Sequence, residues 1–266
     1  MRMLLLILLL PMTAYAGMMS FSVSPSIIKY ETVQGGIKAF DLTFINQGDN
    51  PLKADIQIMD FSLDNKGVPV ITNKSNNTGQ WARFVTIDKN NFKVGAKQSK
   101  KIHVTLKTPR GKPGGGYFAV VFNTSAPKLK RKSKGIQNVM TIGGQLPVLF
   151  IGEISRSGKR KVKVLKGAVN KAPYTKEKPF KLRFVLKNIG TTHVNVTGDV
   201  LLRHNKKVIG RLMLESGSGL ILPQGERYFV ATWGKSDRYA NKKIQAEARF
   251  SYVGGRTSKK ISFKIP

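Results

Sequence analysis

The residue types that carry most enzyme chemistry are scarce in this sequence. It contains no cysteine and 3 histidines, which are His103, His193 and His204. Each histidine lies in a run that alternates like a strand, and none has a second histidine or a carboxylate at metal-ligand spacing. Cysteine chemistry is therefore excluded, and we expect no metal site and no cofactor.

Three short motifs resemble ligand-binding patterns but lack the local structure that those patterns need. Ser26 and Lys29 have the Ser-x-x-Lys spacing of penicillin-recognising enzymes, yet positions three apart in a strand point to opposite faces. The glycine-rich loop at 110–116 leads into a strand, whereas a phosphate-binding loop leads into a helix. The acidic spacing at 60–67 is wrong for an EF-hand calcium loop. The sequence therefore predicts that the protein is not an enzyme.

Positive charge is the strongest chemical signal in the sequence. The chain has 46 Lys and Arg against 14 Asp and Glu, which gives a formal net charge of +32. A field of this sign attracts polyanions, and outside the cytoplasm these are anionic envelope polymers. The candidate polyanion-binding residues form two basic runs: Lys128, Lys130, Arg131, Lys132 and Lys134 in the first, and Arg156, Lys159, Arg160 and Lys161 in the second.

The two basic runs contain no aromatic residue on which a base could stack, so we expect no specific nucleic-acid binding. A second explanation of the charge stays open. Lysines on outer faces and edge strands prevent one sheet from pairing with another, and this would account for the excess without any ligand.

The elements that must position these residues are strands. Residues 38–58 contain two alternating apolar runs separated by a cluster of turn formers, which is the pattern of a β-hairpin with one apolar face. A constant shift along the chain carries this unit to 180–200, where Asn46 falls on Asn188 and most apolar positions match again. Two copies of one unit predict two copies of one domain.

The rest of the chain consists of short strand-like runs with turns between them, and it contains no convincing helix. We therefore predict the all-β class, with two tandem immunoglobulin-like β-sandwich domains at 17–155 and 156–266. Residues 152–178 are rich in Gly, Lys and Arg, and they contain the linker and the opening strand of the second domain.

Residues 1–16 have the features of a cleaved signal peptide, because Arg2 is followed by a run of Leu and Ile and then by Ala14-Tyr15-Ala16. The apolar run is shorter than the roughly 20 residues that cross a bilayer, and no later segment is apolar enough, so no transmembrane segment is expected. We expect a protein of the periplasm, or one that is secreted or held at the cell surface. Exported sandwiches without a cysteine pair favour a bacterial source.

The order of these features resembles that of the periplasmic pilus-assembly (fimbrial) chaperones. The unit FDLTFINQGDNP is followed by a strand at 117–122, a long loop at 124–135 and a closing strand in NVMTIGGQLPVLFIG. In that family the loop and closing strand hold a client subunit, and the strand lends alternate apolar side chains to an incomplete client sheet. The resemblance implies client binding by Val139, Leu146, Val148 and Phe150.

A second resemblance concerns the C-terminal half of the chain. The segments LKNIGTTHVNVTGDV and LPQGERYFVATW are similar to the distal domain of the WxL-interacting surface proteins, which are non-enzymatic adaptors associated with the cell wall. This resemblance implies a protein that is held at the envelope by other molecules.

Together these features predict a non-enzymatic, exported, chaperone-like protein that binds or assembles surface or pilus-type subunits by β-strand pairing. Its partners would be exported protein subunits. The alternative is a wall- or surface-associated adaptor that binds anionic envelope polymers through its basic loops.

Overall fold

The computed structural model describes residues 20–72, 80–125, 143–170, 174, 178–215, 217–234 and 236–265. The predicted signal peptide at 1–16 lies outside the described residues. So do the first basic run and Val139. Within the described ranges, no helix has the length and apolar character needed to cross a membrane.

The N-terminal half of the described chain forms a sandwich of two sheets, which we call the first sandwich. One sheet has the strand order β1-β3-β8-β6 and the other has the order β2-β10-β9-β4-β5, with β7 also paired to β4. The strands are β1 (Phe21–Ser24), β2 (Ile27–Thr32), β3 (Ile37–Asn46), β4 (Leu52–Leu63), β5 (Pro69–Thr72), β6 (Val85–Ile87), β7 (Asn91–Val94), β8 (Ser99–Lys107), β9 (Gly115–Ser125) and β10 (Gly143–Ile154).

The C-terminal half forms the second sandwich. Its sheets have the strand orders β11-β12-β17, β13-β16 and β15-β14-β18-β19. The strands are β11 (Val162–Val169), β12 (Phe180–Asn188), β13 (Val194–Asn195), β14 (Thr197–His204), β15 (Lys207–Met213), β16 (Leu220–Ile221), β17 (Glu226–Trp233), β18 (Lys243–Tyr252) and β19 (Gly255–Lys264). Two short 3-10 helices, Ala82–Phe84 and Ser236–Tyr239, complete the described structure.

Each sandwich buries its own apolar core between its sheets, as the alternation along its strands predicts. The first core contains Trp81 and a set of stacked phenylalanines. The second contains Trp233 and Phe184. The prediction of an all-β protein with two tandem immunoglobulin-like sandwiches is confirmed, while the boundary between 155 and 156 stays a prediction.

The unit predicted as a hairpin at 38–58 has a different geometry. β3 and β4 lie in opposite sheets of the first sandwich, so the turn between them carries the chain across the core. The repeated unit does the same, because β12 pairs with β11 and β17 whereas β14 lies in the other sheet. The hairpin prediction is therefore wrong in its pairing, since alternation and turn residues show where strands are but not which sheet each one joins.

A buried asparagine holds each of these two crossings. Asn46 is fully buried; its Nδ2 donates to the carbonyl oxygens of Asn50 (2.8 Å) and Gly95 (2.9 Å), and its Oδ1 accepts from the N–H of Gly48 (3.0 Å).

Asn188, which is also fully buried, repeats this set. Its Nδ2 donates to the carbonyl oxygens of Thr192 (2.8 Å) and Ile221 (3.0 Å), and its Oδ1 accepts from the N–H of Gly190 (2.9 Å). The sequence repeat is thus also a repeat of hydrogen bonds, which satisfies backbone groups that the crossing would otherwise bury unpaired.

The last two strands of the second sandwich form a hairpin. β18 and β19 pair from Lys243 opposite Lys264 to Tyr252 opposite Gly255. Gly254 in the turn has a φ of +89°, a left-handed conformation that glycine adopts without strain.

Candidate functional site

The most informative feature of the first sandwich is the way in which its first strand changes sheets. β1 pairs antiparallel with β3 in one sheet. After Pro25 the chain crosses over, and β2 pairs parallel with β10 in the other sheet, beginning with Ile27 opposite Leu149. β2 therefore does not pair with the N-terminal half of β10.

From residue 143 to residue 148, β10 pairs with β9 on one side and has no paired strand on the other within the described chain. We call this segment the open edge. Leu149 donates its N–H to Ser26 O (3.0 Å) and Ser155 donates to Thr32 O (2.8 Å), so odd-numbered residues turn their backbone groups away from β9. The N–H and C=O of Gln145 and the C=O of Pro147 therefore face the open edge. Because proline has no N–H, Pro147 interrupts the row of donors, which is a way in which natural sheets protect an edge.

Two of the residues on β10 that the family resemblance implies for client binding are buried in the structure. Val148 and Phe150 are 1% and 0% exposed, and Phe150 stacks on Phe118 with ring centroids 4.3 Å apart. Both belong to the core of the first sandwich, which speaks against lending them to another sheet. Leu146 has the same orientation along the strand but is only half-buried. The binding role of these residues stays a prediction.

The other face of β9 and β10 is also apolar, and it meets the second sandwich. Leu149, Ile151 and Tyr117 form a buried cluster with Leu222, which precedes β17. A sheet with both faces covered by apolar side chains is unusual for an antiparallel sheet, which commonly leaves one face in water. The almost wholly apolar run at 117–122 is thus explained, because one face packs in the first core and the other supports the junction of the sandwiches.

Hydrogen bonds join the two sandwiches at the start of β9. Gly115 donates its N–H to Thr191 O (3.1 Å), and Gly114, with a φ of +100°, donates to Ser157 Oγ (3.0 Å). A Cβ on Gly114 would meet the carbonyl of Thr191, so only glycine allows this approach of the two chains.

Tyr117 and His193 make the most buried polar contact of this junction. The backbone N–H of His193 donates to Tyr117 Oη (2.8 Å), and that hydroxyl lies 3.2 Å from Nδ1 of the same imidazole. Burial raises the pKa of Tyr117 and lowers the pKa of His193, with a smaller opposing effect of Glu153 on the histidine. A neutral imidazole can therefore accept a hydrogen bond from the Tyr117 hydroxyl at neutral pH.

A second contact joins the sandwiches through the turn that follows β4. Tyr228 on β17 donates its backbone N–H to Asn65 O (2.8 Å), and Asn65 Nδ2 donates to Tyr228 Oη (3.1 Å). Sequence reasoning missed both junction contacts, because they join residues far apart in the chain and carry no motif.

The described part of the second basic run divides into two kinds of residue. Arg156, Lys159 and Lys161 are exposed. Arg160 is half-buried, and its Nη2 bonds both carboxylate oxygens of Glu153 at 2.5 Å. Arg160 is thus held in an ion pair within the chain, which sets it apart from the three exposed residues.

The histidines do not form a catalytic or metal-binding group in the described residues. His103 Nδ1 lies 2.6 Å from Asp41 Oδ1, directly across the β3–β8 pair, so it does have the carboxylate partner that sequence spacing did not reveal. Both side chains are exposed. His204 contacts a backbone carbonyl. No group of three or more potential metal ligands occurs in the parts of the chain that the structure describes.

Comparison with known proteins gives matches among solved structures alone. No protein-family model and no curated protein sequence matches the chain. The YadV chaperone is 14% identical with a TM-score of 0.45, over 92% of this chain and 100% of that chain. The class 5 fimbriae chaperone CfaA is 10% identical with a TM-score of 0.45, over 93% and 100%. The Salmonella enterica SafA pilin in complex with the SafB chaperone gives 10% identity and a TM-score of 0.46, over 93% and 97%.

The chain is therefore similar to fimbrial chaperones over most of its length, as its sequence features suggest. The similarity to the WxL-interacting proteins is not among these matches and stays a prediction.

Proposed function

We propose that the protein is an exported, non-enzymatic chaperone-like protein that binds a surface or pilus-type subunit by adding a strand of that subunit to the open edge of β10. The observation that carries this proposal is the stretch from residue 143 to residue 148, where no strand among the described residues pairs with the side of β10 opposite β9. Unpaired strand edges bind extended segments through main-chain hydrogen bonds.

Gln145 is the centre of the proposed contact. Its N–H and C=O both face the open edge, so it offers one donor and one acceptor to an incoming strand. Its side chain is already used, since Nε2 donates to Asn123 Oδ1 on β9 (2.9 Å). Recognition at this residue would thus depend on its backbone rather than on its side chain.

Leu146 gives the edge an apolar contact. It continues the row of side chains that Val148 and Phe150 begin, and it is half-buried where they are fully buried. A client strand that covers Leu146 would extend the first core by one further layer. Exposed apolar surface of this kind favours a partner with alternating apolar residues.

The junction between the sandwiches supports the same proposal. The face of β10 opposite the first core packs against Leu222. On the neighbouring strand β9, Tyr117 is hydrogen-bonded to His193 of the second sandwich. This holds the strand in place before binding, so less conformational entropy is lost when a client pairs with it. The proposed location is the periplasm or the outer surface of the cell.

The test compares Gln145→Pro with Gln145→Ala. Both changes remove the side-chain bond to Asn123, but only proline also removes the N–H at the open edge. Neither change touches the hydrogen bonds to β9, which belong to even-numbered residues. Each variant is expressed in the source cell, and partners retained from the envelope fraction at moderate salt are identified by mass spectrometry.

The proposal predicts that Gln145→Ala retains a stoichiometric exported partner and that Gln145→Pro loses it. Equal retention by the two variants would show that the edge N–H is not part of the binding site. Thermal unfolding of both variants checks that the first sandwich is intact.

A further inference from the structure

A separate charged surface lies on the second sandwich, on the outer face of the sheet β15-β14-β18-β19. The strand register places its residues in two neighbouring rows. Thr197, Ser251 and Arg256 lie opposite one another in the first row. Asp199, Arg249 and Ser258 do so in the second. We call the surface formed by these two rows and Arg211 the arginine trough.

Asp199 fixes two of the arginines. Its carboxylate accepts from Arg211 Nε (2.6 Å) and from Arg249 Nη2 (2.6 Å) and Nε (3.2 Å). The Asp199 side chain is 9% exposed, whereas those of Arg211 and Arg249 are 64% and 43% exposed. Both guanidinium groups therefore keep free N–H groups in solvent while their positions are set by a buried carboxylate.

Arg256 completes the trough. Its side chain is exposed, and the guanidinium group has no ion-pair or hydrogen-bond partner within the described residues. Two open clefts of about 480 and 440 Å³ adjoin on this face, and Arg256 and Ser251 line both of them. The clefts thus form one continuous surface with three arginines, two carboxylates and several hydroxyl groups. The second carboxylate, Glu247, is paired with Arg203 (2.5 Å).

We propose that the arginine trough binds a phosphate-bearing glycan. Because Arg203 balances the charge of Glu247, the three arginines of the trough against Asp199 leave an excess of positive charge. Guanidinium groups bind phosphate through paired hydrogen bonds. The hydroxyls of Thr197, Ser251 and Ser258 are suited to sugar hydroxyl groups between the phosphates. The trough has no aromatic side chain pointing into it along these rows, which disfavours stacking with the bases of a nucleic acid.

This site is distinct from the open edge of β10 and from the second basic run. It lies on β14, β15, β18 and β19, whereas the open edge belongs to the first sandwich and the basic run precedes β11. Glycan binding here is also independent of client capture, so either activity can fail without the other.

The test compares Arg256→Gln with Arg238→Gln, since Arg238 is an exposed arginine of the second sandwich that lies outside the trough and outside both basic runs. Each change removes one exposed arginine and alters the net charge equally, but only the first lies in the trough. Binding of the full chain is measured on immobilised yeast phosphomannan and on the same mannan after its phosphates are removed. Thermal unfolding confirms that both variants are folded, which is expected because both side chains are exposed.

The proposal predicts that Arg256→Gln weakens binding to phosphomannan about tenfold or more, since a charge-assisted hydrogen bond is lost. Arg238→Gln should change binding less than about twofold, and the dephosphorylated mannan should not bind. Equal losses for the two variants would overturn the proposal in favour of attraction by net charge alone. Equal or tighter binding of double-stranded DNA would overturn the assignment to a glycan.

Discussion

Replacement of Asn46 or Asn188 by alanine is expected to destabilise the sandwich that contains the residue. Each side chain is fully buried at the point where the chain crosses between the two sheets. Each forms three hydrogen bonds of 3.0 Å or shorter with backbone groups. Alanine would remove a partner from two carbonyl oxygens and one N–H in either sandwich, and Gly95 O would keep only the longer bond from the N–H of Gln98 (3.3 Å).

The size of the effect follows from these three groups. A buried polar group left without a hydrogen bond costs about 1–3 kcal/mol, and water entering the space of the lost amide relieves part of this. We expect a loss of about 3–5 kcal/mol for each variant. That is a large part of the total stability of an ordinary domain, which is about 5–15 kcal/mol.

Urea unfolding measures the loss in each sandwich separately, because the chain has one buried tryptophan in each core. Trp81 lies in the first core and Trp233 in the second. In a background with one tryptophan replaced by Phe, the fluorescence of the other reports on its own sandwich. A loss of this size corresponds to a midpoint about 2 M lower in urea.

Asn91→Ala is the control, since Asn91 is an exposed asparagine on β7. We expect it to change stability by less than about 0.5 kcal/mol. The reasoning would be refuted if Asn46→Ala and Asn188→Ala behaved like this control. It would also be refuted if only one of the two were destabilised, because the structure gives them the same set of bonds.

The remaining predictions concern the core and the junction. Phe150→Ala should cost the first sandwich about 3–5 kcal/mol in urea unfolding, because Phe150 is fully buried against Phe118, whereas a surface residue would cost little. Tyr117→Phe should cost roughly 1–3 kcal/mol by the same measurement, because the N–H of His193 loses its acceptor, and an unchanged midpoint would argue against this contact. Burial lowers the pKa of His193 from its usual value of 6.5, so the unfolded chain takes up a proton before the folded protein does. Stability should therefore fall as the pH drops below about 7. Urea midpoints measured across that pH range should fall less in His193→Gln than in the unchanged protein.

The strands, the two cores and the repetition of the strand–turn–strand unit were predictable because they depend on short-range patterns. Alternating apolar residues mark the strands, and the match of Asn46 with Asn188 marks the duplication. The error at 38–58 has a clear physical origin. A cluster of turn formers is compatible both with a hairpin and with a crossing between sheets, and the buried hydrogen bonds that distinguish the two involve Gly95 and Ile221, far away in the sequence.

The candidate site was predictable in its location but not in its details. The closing strand was identified. The structure places Leu146, Val148 and Phe150 on one face of it, and their role in client binding stays a prediction. Alternation does not reveal whether that face is covered, and here the packing of Phe118 and Phe40 covers Phe150. The pairing of β2 with β10 begins only at Leu149, and this leaves the edge open. That starting point depends on the register of two strands that are distant in the chain.

The arginine trough gave no signal in the sequence. Its residues belong to four strands, and no run of basic residues marks it. Asp199 and Arg249 become neighbours through the pairing of β14 with β18. The basic runs, which do stand out in the sequence, include Arg160, and the structure pairs that residue with Glu153.

Hydrogen exchange at the backbone amide of Gln145 tests the central claim most directly. The amide is measured by NMR in the free protein and in the complex with its captured subunit. Strand addition at the open edge predicts that the Gln145 N–H, exchangeable in the free protein, becomes protected in the complex, while the amide of Val70 on the opposite edge strand β5 is unchanged. A complex in which the exchange of Gln145 stays as fast as in the free protein would contradict the account.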